Sequence, residues 1–212
     1  MTEQLTELFK TARELFRKDQ FLPSFSVYKK ILQDQSADDS TLALAFTEAG
    51  ECLLNLQIWN EAEDYLRQAL ELDSFSANVH YLLGTILSKS ARFAEAAAHF
   101  QTASKITPNN AEIKRSLGWA LFMSGRPQTG EQYLMEAIEI NPKNAFVYCD
   151  LAVLQMNKGD YQKAESLLRE ARKRSPDDPF VEDVILACRG MRKAWEEKVN
   201  SIKPRRLLKE KK

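Results

Sequence analysis

The sequence predicts an all-α chain, an α-solenoid of tandem helix-turn-helix repeats closed by a C-terminal capping helix. Three observations predict it. The first is a shortage of helix breakers. The chain holds 7 Gly and 7 Pro in 212 residues, where an average chain of this length has roughly 15 and about 10. Turn-rich β folds need both residues, so sandwiches and barrels are disfavoured. The second is apolar spacing of three and four, as in Val79, Leu82, Leu83, Ile86 and Leu87, the period of a helix buried along one face. The third is a repeat of 34 residues. Gly50, Gly84 and Gly118 keep it, as do Ala62, Ala96, Gly130 and Ala164. So do Leu66, Phe100, Leu134 and Leu168; Ala69, Ala103, Ala137 and Ala171; and Pro108, Pro142 and Pro176, with Ser74 one period earlier. Each column holds one kind of residue, small, large or breaking, which marks a structural unit used repeatedly.

Residues 77–110 show how a unit is built. A first helix starts at Ala77 and gives way to a turn near Ser90-Ala91-Arg92. Phe93, Ala96, Ala97, Phe100 and Ala103 carry the pattern into a second helix, which Pro108 and two asparagines stop. Gly84 and Ala96 fit a close crossing of the two helices. Glycine inside a helix costs about 1 kcal/mol against alanine, so its recurrence implies a contact that offsets the cost. Units 43–76, 111–144 and 145–178 follow the same plan. Residues 5–38 form a degenerate first unit with Leu8, Thr11, Ala12, Leu15, Ser24, Tyr28 and Ile31. Four extra residues, 39–42, separate it from the next, and Pro23 lies early in its second helix, where proline is tolerated. Terminal units of a stack are expected to be atypical. Asp178-Pro179 opens a capping helix, 179–200, followed by a basic tail, 201–212.

These columns resemble the tetratricopeptide repeat. Its 34-residue unit carries a large residue, Leu-Gly, an apolar residue, Ala, a large residue, Ala and Pro at fixed offsets. In the unit from Ala77 these are His80, Leu83-Gly84, Leu87, Ala96, Phe100, Ala103 and Pro108. In the unit from Ala111 they are Lys114, Leu117-Gly118, Leu121, Gly130, Leu134, Ala137 and Pro142. In the unit from Ala145 they are Tyr148, Leu151-Ala152, Gln155, Ala164, Leu168, Ala171 and Pro176. The unit from Ala43 offers Phe46, Ala49-Gly50, Leu53, Ala62, Leu66, Ala69 and Ser74. The resemblance covers about residues 5–200 and implies a right-handed solenoid whose first helices line a concave, partner-binding groove.

Catalytic signatures are sparse, and the sequence reads as non-enzymatic, without metal or cofactor. Glu95 and His99 form an i, i+4 pair, read as an ordinary helix-surface pair, with no third ligand at a metal-site spacing. The stretch from Gly125 to Gly130 imitates a phosphate loop but lacks the Lys and Ser/Thr after its second glycine. Cys52, Cys149 and Cys188 are odd in number and widely spaced, as in a reduced, cytoplasmic protein. Cys52 and Cys188 are expected on a packed face, and Cys149 is expected to be more accessible. The opening residues contain no apolar run of signal-peptide length, and no stretch reaches that of a membrane span.

Repeat positions 2, 5, 9, 12 and 13 of the first helices fall on the face that the resemblance assigns to the groove. A groove without a ligand should be polar there. The candidate binding residues are Tyr81, Thr85, Arg115, Trp119, Phe122, Met123, Phe146, Cys149, Val153 and Met156, continued by Phe180 and Met191 of the cap. Exposed apolar area of this kind marks interfaces, so the expected partner is a protein or peptide segment with apolar anchors. The expected role is adaptor, chaperone or assembly scaffold, with self-association through Trp119 as another use. Replacing Trp119 and Phe122 by alanine is expected to abolish partner capture and spare helicity. A carboxylate clamp of the kind some repeats of this family carry is not expected. Its asparagine position reads Lys10, Glu48, Leu82, Ser116 and Asp150.

The zero net charge is a cancellation. Residues 189–212 hold ten basic and three acidic residues, net +7, which leaves −7 on residues 1–188. The alternative function is therefore a factor recruited to nucleic acid or an anionic membrane by tail residues Lys203, Arg205, Arg206, Lys209, Lys211 and Lys212.

Overall fold

In the computed structural model, residues 2–207 are described, with side chains described through 198. All regular structure among them is α-helical. Eleven helices follow in order: α1 Glu3–Arg17, α2 Phe21–Leu32, α3 Asp39–Asn55, α4 Trp59–Leu72, α5 Ala77–Lys89, α6 Phe93–Ile106, α7 Ala111–Met123, α8 Pro127–Ile140, α9 Ala145–Asn157, α10 Tyr161–Arg174 and α11 Pro179–Leu207. Odd-numbered helices are the first members of each pair. Each touches the next odd helix from α3 onward, while the even helices pack between their own partner and the following first helix. The first helices thus form one continuous inner layer, the concave face of a solenoid.

Helix starts follow the same period. Ser76, Asn110 and Asn144 stand immediately before α5, α7 and α9, and each side chain accepts a backbone N–H of the first turn. Asp178 does the same for α11, accepting from Phe180 N at 2.9 Å. Such caps satisfy amides that have no partner inside the helix. The turn within each pair also repeats. Gln57, Ala91, Gly125 and Gly159 all have positive φ, as does Asp19 in the first pair. Only the last two of the four are glycine, so Gln57 and Ala91 hold a left-handed conformation that L side chains disfavour.

The small columns lie at crossings. A Cβ on Gly84 would meet Phe100 Cε1 at 2.6 Å, and one on Gly118 would meet the Gly130 carbonyl oxygen at 2.8 Å. Here the backbones approach as closely as the residues allow, and the helix penalty of glycine is offset by packing. Two expectations need correction. Residues 39–42 are not a spacer: Asp39 begins α3, so the insertion lengthens that helix by one turn to 17 residues. The capping helix extends past Asn200, to Leu207. Of the tail residues, Lys203, Arg205 and Arg206 lie in this helix without described side chains, and Lys209, Lys211 and Lys212 lie outside the described residues. No helix among the described residues is long and apolar enough to cross a membrane.

Candidate functional site

The inner layer buries most of what it carries, so the residues it leaves open are informative. On α7, Trp119 is half-buried and its ring lies 5.5 Å from that of Phe122, while Met123 is 43% exposed. On α9, Phe146 is 38% exposed, and its ring lies 5.7 Å from Phe180 of α11, which is 48% exposed. Met191 is also exposed. Trp119, Met123, Phe146 and Phe180 come from three successive inner helices. Tyr81 of α5 is half-buried, with its ring 5.8 Å from Phe100, and borders a cleft of about 420 Å3 shared with Asn78, Asn110 and Glu112.

Several groove candidates are placed differently from expectation. Cys149 is fully buried, not accessible, and Met156 is buried beside it; both belong to the core formed with Ala164, Leu168 and Val181. The capping helix covers this part of α9, which the repeat pattern of α9 alone does not reveal. Burial pushes the Cys149 thiol up to about 12, leaving negligible thiolate at neutral pH. Phe122 is half-buried and packs on the core around Leu134, Leu151 and Leu154, and Val153 packs against the cap-side core. Phe122 is therefore partly structural, and its replacement would disturb folding as well as the groove. The Thr85 hydroxyl donates back to the Tyr81 carbonyl at 2.9 Å.

Arg115 is engaged inside the chain. It donates to Asp150 Oδ2 at 2.8 Å and to Glu112 Oε1 at 2.6 Å. Asp150 is 6% exposed, and burial raises its carboxyl to about 6 against the opposing pull of Arg115. The two residues are 35 apart, one repeat plus one, so the bridge ties consecutive inner helices. Arg13 and Glu48 tie α1 to α3 across the same interval, at 2.6 Å. These bridges were missed in the sequence, although opposite charges one repeat apart on inner positions are their signal. Asp150 and Glu48 occupy the position where a carboxylate clamp needs asparagine. An acid there repels a carboxylate ligand.

The histidines also pair in an unexpected way. His99 Nδ1 lies 3.0 Å from His80 Nδ1, whereas Glu95 is held by Arg92 at 2.6 Å. Burial, with the adjacent His80, lowers the His99 pKa. No cluster of three or more metal-ligating side chains is found among the described residues. All three cysteines are free and buried.

Residues 81–145 and 121–183 each match a family model described as tetratricopeptide repeat. Among curated proteins none matches the sequence. Similar solved structures include a tetratricopeptide repeat protein from Parabacteroides merdae, with a TM-score of 0.78, 15% identity, and coverage of 90% of this chain and 74% of that one. MamA from Desulfovibrio magneticus RS-1 has a TM-score of 0.74 at 16% identity, covering 84% of this chain and 99% of that one. YrrB, described as a repeat protein of this type with an unusual peptide-binding site, has a TM-score of 0.68 at 24% identity, covering 83% and 89%. At these identities the likeness is one of fold.

Proposed function

We propose that this chain, a tetratricopeptide repeat protein, is a non-catalytic interaction module that grips one segment of a partner polypeptide in the C-terminal half of its concave face. The observation that carries the reading is the set Trp119, Met123, Phe146 and Phe180, contributed by three successive inner helices, with Trp119 half-buried and the other three exposed. Aromatic residues and methionine are enriched at protein interfaces, and methionine adapts to irregular partners. Arg115 contributes as a brace that fixes the spacing of α7 and α9 rather than as a free cation. The peptide-binding site named for YrrB shows that this fold can present a segment-binding surface. The roles that suit such a groove are adaptor, chaperone or assembly scaffold. The three buried free thiols suit a reducing compartment such as the cytoplasm.

The test is selection of peptides from a random displayed library on the full chain, followed by affinity measurements on variants. Trp119→Ala with Phe146→Ala should weaken the selected peptides at least about tenfold, with the far-ultraviolet helix signal unchanged. Met135→Ala, an exposed residue on the second helix α8, should bind as wild type. Undiminished binding to the double variant would overturn the reading.

A further inference from the structure

We propose that the contact between His80 and His99 is a proton-sensitive latch on the third repeat, closed while at most one of the two rings is charged and released when both are. The chain has two histidines, and the fold brings them together. His80 lies on α5 and His99 on α6; both are half-buried, with ring centroids 5.3 Å apart. Their Nδ1 atoms are 3.0 Å apart, so one must donate and the other accept. His80 Nε2 stands 3.4 Å from the Ser74 carbonyl oxygen, which only accepts. With neutral rings, one arrangement satisfies both contacts: Nε2–H of His80 donates to Ser74, and Nδ1–H of His99 donates to His80. One added proton keeps a donor facing an acceptor. The second sets N–H against N–H between two cations.

The 34-residue register shows what the contact does. The positions of His80 and His99 hold Phe46 and Tyr65 one repeat earlier and Lys114 and Tyr133 one repeat later. Phe46 and Tyr65 meet ring to ring at 5.8 Å, and Lys114 Nζ stands 5.5 Å from the centre of the Tyr133 ring. Three consecutive repeats therefore join their two helices through the same pair of positions. Among these residue types, histidine is the one that changes charge between pH 5 and 8. The third repeat thus has a titrating contact where its neighbours have constant ones. Helices α5 and α6 pack between α4 and α7, so releasing this latch loosens the middle of the solenoid.

The surroundings do not absorb a second charge. The groups that act on His99 are Glu63 and Arg67 of α4, Glu95 of α6 and His80 itself. Both carboxylates are engaged, Glu63 by Arg67 and Arg92, and Glu95 by Arg92. Burial, then His80 and Arg67, lowers the His99 pKa against the pull of Glu63 and Glu95. The flanking inner helices carry Asp39, Glu48 and Glu51 on α3 and Glu112, Lys114 and Arg115 on α7. Among the described residues none of these is hydrogen-bonded to either histidine, and Glu48, Glu112, Lys114 and Arg115 are in ion pairs of their own. The unfolded chain, with ordinary histidines, therefore takes up both protons more readily than the folded pair. The latch contributes in full above about pH 6.5, and its contribution is lost as the pH falls below that value.

The test compares the full chain with a variant carrying His80→Phe and His99→Tyr, the pair that Phe46 and Tyr65 form one repeat earlier. Imidazole NMR of the wild type should show the two rings titrating in separate steps, the second below the usual 6.5 of histidine. Urea unfolding between about pH 8 and 5 should show the wild type losing stability relative to the variant, several-fold in the folded-to-unfolded ratio. Asp150 is present in both proteins and cancels. Hydrogen-exchange protection of α5 and α6 should fall over the same range in the wild type and hold in the variant. Two rings that titrate together near 6.5, a stability difference that stays constant with pH, or equal protection in the two proteins would each overturn the proposal. The first of these is read on the wild type, so it decides even where the variant does not fold.

Discussion

Replacing Gly118 and replacing Gly190 by alanine are the same chemical change in the same helical backbone, yet the structure predicts opposite outcomes. At either site alanine contributes about 1 kcal/mol through helix preference. At Gly118 the new Cβ would lie 2.8 Å from the Gly130 carbonyl oxygen, 2.8 Å from Leu134 Cγ and 3.1 Å from Leu134 N. Ordinary contact begins near 3.4 Å, so α8 must withdraw by about 0.6 Å, the gap between 2.8 and 3.4 Å. The obstacle includes backbone on a helix packed through Leu134 and Ala137, which cannot swing aside as a flexible side chain would. Overpacking of this kind costs about 1–3 kcal/mol. A backbone obstacle belongs at the upper end, so Gly118→Ala should lose about 1–2 kcal/mol net. At Gly190 a Cβ meets nothing within 4 Å. That variant should gain helix content and up to about 1 kcal/mol. Urea unfolding followed by far-ultraviolet circular dichroism measures both, with m-values checked for equality. A Gly118→Ala protein as stable as wild type would refute the close-crossing account of the glycine column.

Two further outcomes follow from the turns and the buried acid. Ala91→Gly, which relieves a φ of 57° at a turn where two other repeats use glycine, should raise stability by up to about 1 kcal/mol; a loss in thermal melts would show that the turn is unstrained. Asp150 is held near 6, above the 3.8 of a free aspartate. The folded state therefore keeps this proton longer than the unfolded chain. The group's contribution is complete below about pH 4 and is lost as the pH rises through about 6, by at most about 3 kcal/mol. Asp150→Asn removes that slope, so its stability relative to wild type should rise across the window in urea titrations at several pH values. A constant difference would contradict the burial argument.

The repeat was legible because the solenoid uses the same contact many times. Columns such as Ala69, Ala103, Ala137 and Ala171 report one environment four times over, so periodicity alone recovers the helix pairs and their order. What depends on contacts between repeats was harder to read. Cys149 and Met156 carry no sign of burial in their own unit, since it is the following helix, the cap, that covers them. The one-turn extension of α3 looked like a spacer because insertion length says nothing about which element absorbs it. Arg115 reads as a groove cation until Asp150, a full repeat away, is placed beside it. The N-cap column of Ser76, Asn110, Asn144 and Asp178 was present in the sequence at 34-residue spacing. It went unread because three different residue types fill it, although each accepts a backbone N–H from the first turn of its helix.

Three tryptophans allow the groove to be tested with its own controls. Trp119 lies in the proposed site, Trp59 packs against the core around Leu66 and Leu83, and Trp195 lies against Tyr161 with ring centroids 5.8 Å apart and the rings tilted. The most direct measurement is the indole 1H–15N spectrum of the full chain during titration with a library-selected peptide. The account predicts a saturable shift of the Trp119 indole, with Trp59 and Trp195 unmoved. A binding isotherm that leaves Trp119 in place, or that moves Trp59 or Trp195 instead, would contradict it.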